Sequence, residues 1–241
     1  MMGADSTTDW RAAAASALDW WAEAGVDLVV DDLPRDWLAP PAALPAAPML
    51  MQAAGAGAMP DQWEAFVAWR AGAAAPETGW RGAHLAASGP ADASVMVLVD
   101  CPDSDDAEGG QLMAGQSGRL FNRMLRAIGM TRDEVHLASV CCKRPAAGRM
   151  PRDCEDQLTG IARHHVGLIA PKRLLLLGNA ASRAVIGTDV QPGRGSLHPF
   201  SHKTGTTEVV VSFHPRLLLE RPMVKAEAWK DLQLLMKDIG K

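Results

Sequence analysis

Four short apolar runs punctuate the second part of the chain, at residues 95–99, 135–140, 173–177 and 209–213. Each is too short for an ordinary helix, and each reads as a strand buried on both faces. Between them the pattern lengthens to a helical period, over residues 117–128 (closed by Gly129), 152–169, 179–186 (closed by Gly187) and 224–236. Strands alternating with helices predict a three-layer α/β/α sandwich around a four-stranded parallel core sheet. Parallel strands gather their carboxyl ends on one edge, and open α/β sheets bind ligands there. Four segments reach that edge: Asp100-Cys101-Pro102, residues 139–145, Gly178-Asn179 and His214-Pro215.

The first part of the chain has another character. Residues 8–25 read as a helix, residues 34–60 as an Ala-, Pro- and Met-rich linker without a clear period, and residues 61–73 as a second helix. Residues 1–92 are thus expected to form a helical, Ala/Pro-rich acidic amino-terminal extension, and residues 93–241 the α/β domain.

Composition narrows this picture. The chain has 241 residues, 48% of them apolar, enough for one α/β domain with an appendage. No run of about eighteen apolar residues suggests a membrane span, and residues 1–10 lack the pattern of a secretory signal. The four cysteines include no C-x-x-C pair, and Cys141 and Cys142 are adjacent. Neither a disulfide framework nor a tetrahedral metal site is expected, and the compartment reads as cytoplasmic and reducing. Residues 1–92 carry 4 basic against 12 acidic side chains, and the remainder 20 against 16. A mildly basic body permits a polyanionic partner without requiring one.

The candidate chemistry lies on the sheet edge. His214 ends an apolar strand and is pinned by Pro215, and Asp100 ends another strand. Each has a plainer role open to it: Asp100 can cap the following turn, and His214 can serve the strand end alone. Lys143, Arg144 and Arg149 form either a solvated basic loop or a nucleic-acid contact. His198 and His202 sit in a Gly-rich loop without a matching ligand set, and no metal site is expected there. The chain has no G-x-G-x-x-G or G-x-x-x-x-G-K-[ST] phosphate loop, which argues against a small-molecule α/β enzyme of the nucleotide-binding kind.

Taken in order, the edge segments resemble the uracil-DNA glycosylase superfamily over roughly residues 94–237, and within it the thermostable branch that carries an iron–sulfur cluster. That branch has a first motif like GEAPG and a G-x-P-F-V-G-x-A-G loop; here stand Val99-Asp100-Cys101-Pro102-Asp103 and Gly110-Gln111-Leu112-Met113-Ala114-Gly115-Gln116-Ser117-Gly118. A family segment like N-V-V-K-C-R-P-P-G-N-R-T-P aligns without gaps to residues 139–151, keeping Arg144, Pro145, Arg149 and Pro151. The L-G-x-x-A turn is similar to Leu177-Gly178-Asn179-Ala180-Ala181. The closing H-P-[SA]-x-L-L and W-x-D-L are similar to residues 214–218 and 229–232.

The resemblance implies hydrolysis of the bond between a base and deoxyribose in DNA. Asp100 would stabilise the sugar cation and position water, and His214 would stabilise the departing base. Cys101, Pro102, Met113 and Ser139 would line the base pocket, while Lys143, Arg144, Arg149 and Arg216 would neutralise phosphates. Arg216 replaces a small family residue, so it either binds phosphate or blocks close approach. Leu217 or Leu218 would wedge into the duplex or pack in the core. Several positions depart from the family. Met113 replaces the stacking phenylalanine, Ser139 the base-reading asparagine and Lys143 a cluster cysteine, and no C-x-x-C pair precedes the first strand. No cluster or other cofactor is expected. An Asn-to-Ser change removes a bidentate contact worth about 1–3 kcal/mol of discrimination, which puts uracil specificity in doubt. The expected function is a DNA glycosylase of altered base preference. The alternative is an inactive DNA-binding module, or one that recruits a protein partner through the amino-terminal extension.

Overall fold

The computed structural model describes residues 59–148, 150–237 and 239, so the helix expected at 8–25 and the linker from 34 to 58 lie outside the described residues. A five-stranded sheet forms the centre, in the order β2-β1-β3-β5-β4. The strands are β1 (Val95–Val99), β2 (Val135–Ser139), β3 (Arg173–Leu177), β4 (His198–His202) and β5 (Gly205–Ser212). The first four in that order run parallel, with β1 in the middle pairing Val95 with Val135 on one side and with Arg173 on the other. Every residue of β1, β2 and β3 is buried, as apolar runs covered on both faces require.

The fifth strand is an addition to the expected sheet. The segment read as a Gly-rich loop forms β4, antiparallel to β5, with Lys203 and Thr204 between them. This pairing also lengthens β5 back to Gly205. Phe200 is the one β4 residue that is fully buried.

Helices α1 (Trp63–Ala71), α2 (Gln116–Ala127), α3 (Glu155–Ile169), α4 (Asn179–Ile186), α5 (Pro215–Glu220) and α6 (Lys225–Met236) flank this sheet. Their apolar spacing sets which face turns inward: α2 buries Phe121, Met124 and Leu125 and leaves Arg119, Arg123 and Arg126 exposed. The residues expected to begin a helix at 152 form a 3-10 turn, Arg152–Cys154, before α3 proper.

Residues 59–92 pack on the sheet. Phe66 is 1% exposed, and Trp63 meets His136 edge-on and His165 at a tilt, with ring centroids 5.1 Å apart in both pairs. His136 uses Nδ1 on the Pro90 carbonyl (3.0 Å), so its Nε2 accepts from the Nε2–H of His165 at 2.9 Å. Burial pushes both imidazoles below their ordinary pKa, so the pair is neutral. A buried ion pair ties the following loop to the end of β2. Arg70 meets Glu77 at 2.5 Å and donates to the Val140 carbonyl (2.7 Å), while Glu77 accepts the Cys142 N–H at 2.9 Å. No helix among the described residues is long and apolar enough to cross a membrane.

Candidate active site

A cleft of about 830 Å³ opens at the carboxyl edge of the parallel strands. Asp100, Cys101, His214 and Arg216 line it together with Glu155, Arg183 and the loop after Pro145. The backbone dictates how Asp100 reaches it. Asp100 leaves the end of β1 and aims its carboxylate at the first turn of α4, where Oδ1 accepts the Ala181 N–H at 2.7 Å. The neighbouring residue must be glycine: a Cβ on Gly178, at φ +113, would lie 2.4 Å from Asp100 Oδ2. Burial raises the Asp100 pKa to about 6, opposed by the α4 amide groups and by the charges of Arg183 and Arg216. At neutral pH the group is therefore a carboxylate whose negative charge the start of α4 supports.

His214 caps α5. Its Nδ1 accepts the backbone N–H of Arg216 at 3.2 Å, which fixes the neutral tautomer with the proton on Nε2. Burial lowers its pKa to about 4, so the ring is neutral across the physiological range. The strand end that carries it is held from below. Asp231 on α6 accepts Ser212 Oγ at 2.7 Å and Arg194 Nε at 2.8 Å. The Arg194 guanidinium lies 4.3 Å from the ring centroid of Phe213, the residue before His214.

The other expected site residues are placed differently. Met113 is 2% exposed and is not among the residues lining the cleft. It adopts a left-handed backbone at φ 55, imposed by its surroundings. Asp106 accepts the N–H groups of Met113 (3.0 Å) and Ala114 (2.7 Å), and Arg132 donates to the Met113 carbonyl at 3.1 Å. Gly118 packs so closely that a Cβ there would lie 1.6 Å from that carbonyl. Ser139 is likewise outside the cleft lining. It borders a separate 20 Å³ cavity with Trp63, His84 and His165, large enough for one water, and its Oγ has no protein partner among the described residues. Pro102 is buried and offers its carbonyl to Arg144 at 2.7 Å. Lys143 donates to the carbonyls of Thr78 (3.1 Å) and Trp80 (3.3 Å). Arg216 pairs with Asp103 at 2.7 Å. Leu218 is 2% exposed and Leu217 packs half-buried against the same core. Arg149 lies outside the described residues.

Sequence reasoning missed Arg183 and Glu155, which face each other at 3.1 Å on the cleft wall, and Asp106, which shapes the loop. Their partners are remote in sequence, and no local pattern marks them. An iron–sulfur cluster finds no fit among the described residues. Lys143, where the resemblance would put a cluster cysteine, is bonded to two carbonyls, and among the described residues no group of three or more His, Cys, Asp or Glu side chains is arranged to hold a metal.

A mostly parallel five-stranded sheet flanked by helices, with a cleft at the carboxyl ends of its strands, places the chain among the α/β proteins. Within that class the chain belongs to the uracil DNA glycosylase superfamily, whose family model matches residues 86–233. Among curated relatives it is similar to a type-4 uracil-DNA glycosylase of Pyrobaculum aerophilum, 23% identical over 58% of this chain and 75% of the relative. A type-4 uracil-DNA glycosylase of Archaeoglobus fulgidus is 24% identical over 62% and 78%. One of Thermotoga maritima is 27% identical over 54% and 69%.

Proposed function

We propose that this protein is a DNA glycosylase that hydrolyses the N-glycosidic bond of a deaminated or otherwise damaged base, with a preference that is not centred on uracil. The observation that carries the reading is the pairing of Asp100 and His214 on one cleft, in complementary states at neutral pH, one a carboxylate and the other a neutral donor. Cleaving the bond builds positive charge on the deoxyribose and negative charge on the departing base. The Asp100 carboxylate offsets the first and orients the attacking water, which adds its oxygen to the sugar carbon and gives its proton to Asp100. The Nε2–H of His214 donates to the base oxygen and offsets the second. A neutral imidazole donates without itself being deprotonated, so the base leaves as a stabilised anion.

Base preference follows from how the cleft is lined. The positions where an aromatic platform and a base-reading amide are expected hold Met113 and Ser139, and both are buried away from the cleft. The alternative of an inactive DNA-binding module has support in the same two positions, and one assay separates them. Purified protein is incubated with single- and double-stranded oligonucleotides carrying uracil, hypoxanthine or xanthine, and alkali then reveals abasic sites. Release of at least one base is expected, with Asp100→Asn and His214→Ala each lowering the rate by about 10²–10⁴-fold. DNA binding without release of any base would leave the inactive module standing.

A further inference from the structure

Three large apolar side chains are exposed on the described surface, and one is extreme: Met223 is 90% exposed, against 42% for Trp229 on α6 and 38% for Leu219 on α5. Met223 sits in the 3-10 turn Pro222–Val224 that joins α5 to α6, between the exposed cations Arg221 and Lys225. Helix α2 packs beside α5 and presents Arg119, Arg123 and Arg126 outward, at the i, i+4, i+7 spacing that puts them on one face. At about 1.5 Å per residue this stripe runs roughly 10 Å. None of these five cations has a side-chain hydrogen bond or ion pair among the described residues. Arg70, Arg173, Arg183, Arg194 and Arg216, by contrast, are each paired with a carboxylate. Acidic relief is small: α2 carries no carboxylate, and α5 carries Glu220 alone. His214 caps α5, so the face begins at the rim of the cleft.

We propose that the α2–α5 face is the duplex-DNA dock, with the arginine stripe holding backbone phosphates and Met223 entering the base stack. The proposal rests on the glycosylase reading for the use of the cleft, but its own support is the arrangement of charge and exposed apolar surface. Unpaired cations at helical spacing match a polyanion with regularly spaced charge. An apolar tip flanked by cations suits a wedge that unstacks one step while the backbone is held on both sides. This moves the DNA interface away from Lys143 and Arg144, whose charges are already bonded to carbonyls.

The test measures binding separately from cleavage. The triple variant Arg119→Gln/Arg123→Gln/Arg126→Gln is titrated with duplex and single-stranded oligonucleotides over a range of salt. The expected result is duplex affinity at least about tenfold weaker and a log–log salt slope shallower by about 2–3, at roughly 0.9 for each phosphate no longer neutralised. For Met223→Ala, duplex carrying 2-aminopurine beside a mismatch should lose the fluorescence rise that the wild-type protein produces on binding. Unaltered duplex affinity and slope in the triple variant would overturn the dock, as would binding confined to single strands. All four residues are exposed, so an unchanged thermal midpoint certifies the fold. If the face binds duplex and no base is released, the glycosylase reading fails and this one stands. If Asp100→Asn abolishes cleavage while the triple variant binds normally, this one alone fails.

Discussion

The carboxyl edge of the sheet has two halves that have been treated differently. At the ends of β1, β3 and β5 the groups line the cleft: Asp100 is supported by the start of α4, His214 is held in one tautomer, and Arg183 and Glu155 form part of the wall. At the end of β2 and in the loop before α2 the groups are closed in. Ser139 and Met113 are buried, and Lys143 and Arg144 are bonded to backbone carbonyls. One half leaves polar side chains facing the cleft, while in the other the cations are bonded to the backbone and the Ser139 hydroxyl is enclosed. On the glycosylase reading proposed above, chemistry and base recognition would be separable on this scaffold, with Met113 and Ser139 closed off while the cleft stays open.

The sharpest way to break the first half is from beneath. Asp231 lies 1% exposed and is bonded to Ser212 Oγ and to the guanidinium of Arg194. Asp231→Ala removes one of the two carboxylates that hold Arg194, with Glu227 remaining, and leaves Ser212 Oγ without its acceptor, a loss of about 1–3 kcal/mol. Chemical denaturation should show that loss, and any activity should fall further than stability alone explains, because Phe213 and His214 follow Ser212 directly. A stability change under about 1 kcal/mol would mean that the strand end holds itself without the network.

How much of this could be read beforehand depends on range. Strands β1 and β3 occupy the residues expected, because a run buried on both faces is apolar at nearly every position. Strand β4 was hidden: an edge strand needs few inward residues, and in His198-Pro199-Phe200-Ser201-His202 only Phe200 is fully buried. Asp100 and His214 were legible because a strand end followed by a turn is a local pattern. The fate of Lys143 and Arg144 was not, because their carbonyl acceptors lie at Thr78, Trp80 and Pro102. The withdrawal of Met113 depends on Asp106, Arg132 and Gly118 acting together, which no spacing announces.

Acid separates the two catalytic candidates from each other. Asp100 protonates near pH 6 in the folded protein, whereas His214 stays neutral to about pH 4. Base release should therefore be full above neutrality and fall about tenfold per pH unit below about 6. A rate that rises on acidification would mean that the Asp100 carboxylate is not the working form. Stability follows a different sum. The raised Asp100 pKa means the folded state binds the extra proton between its unfolded value of 3.8 and about 6, so acid favours folding there. The depressed His214 pKa does the reverse between about 4 and 6.5, and the two nearly cancel. His136, His165 and His202 remain, all lowered by burial, so the unfolded chain binds more protons below pH 6.5 and net stability should decline there.

The smallest effect tests the second half most directly. Lys143 lies in the loop that first suggested a DNA interface, yet its ammonium already donates to the carbonyls of Thr78 and Trp80, which anchors the segment following α1. Lys143→Ala should lower stability by about 1 kcal/mol, below the usual range for hydrogen bonds to a charged group because the site is partly exposed. The salt slope of DNA binding should remain as it was, since a cation engaged by carbonyls releases few counterions when DNA arrives. Arg123→Gln, measured beside it, should leave stability within about 0.5 kcal/mol and lower the slope by about 0.9. If the two variants exchanged these signatures, the β2 end would be the nucleic-acid interface and the α2 stripe merely a solvated helix face.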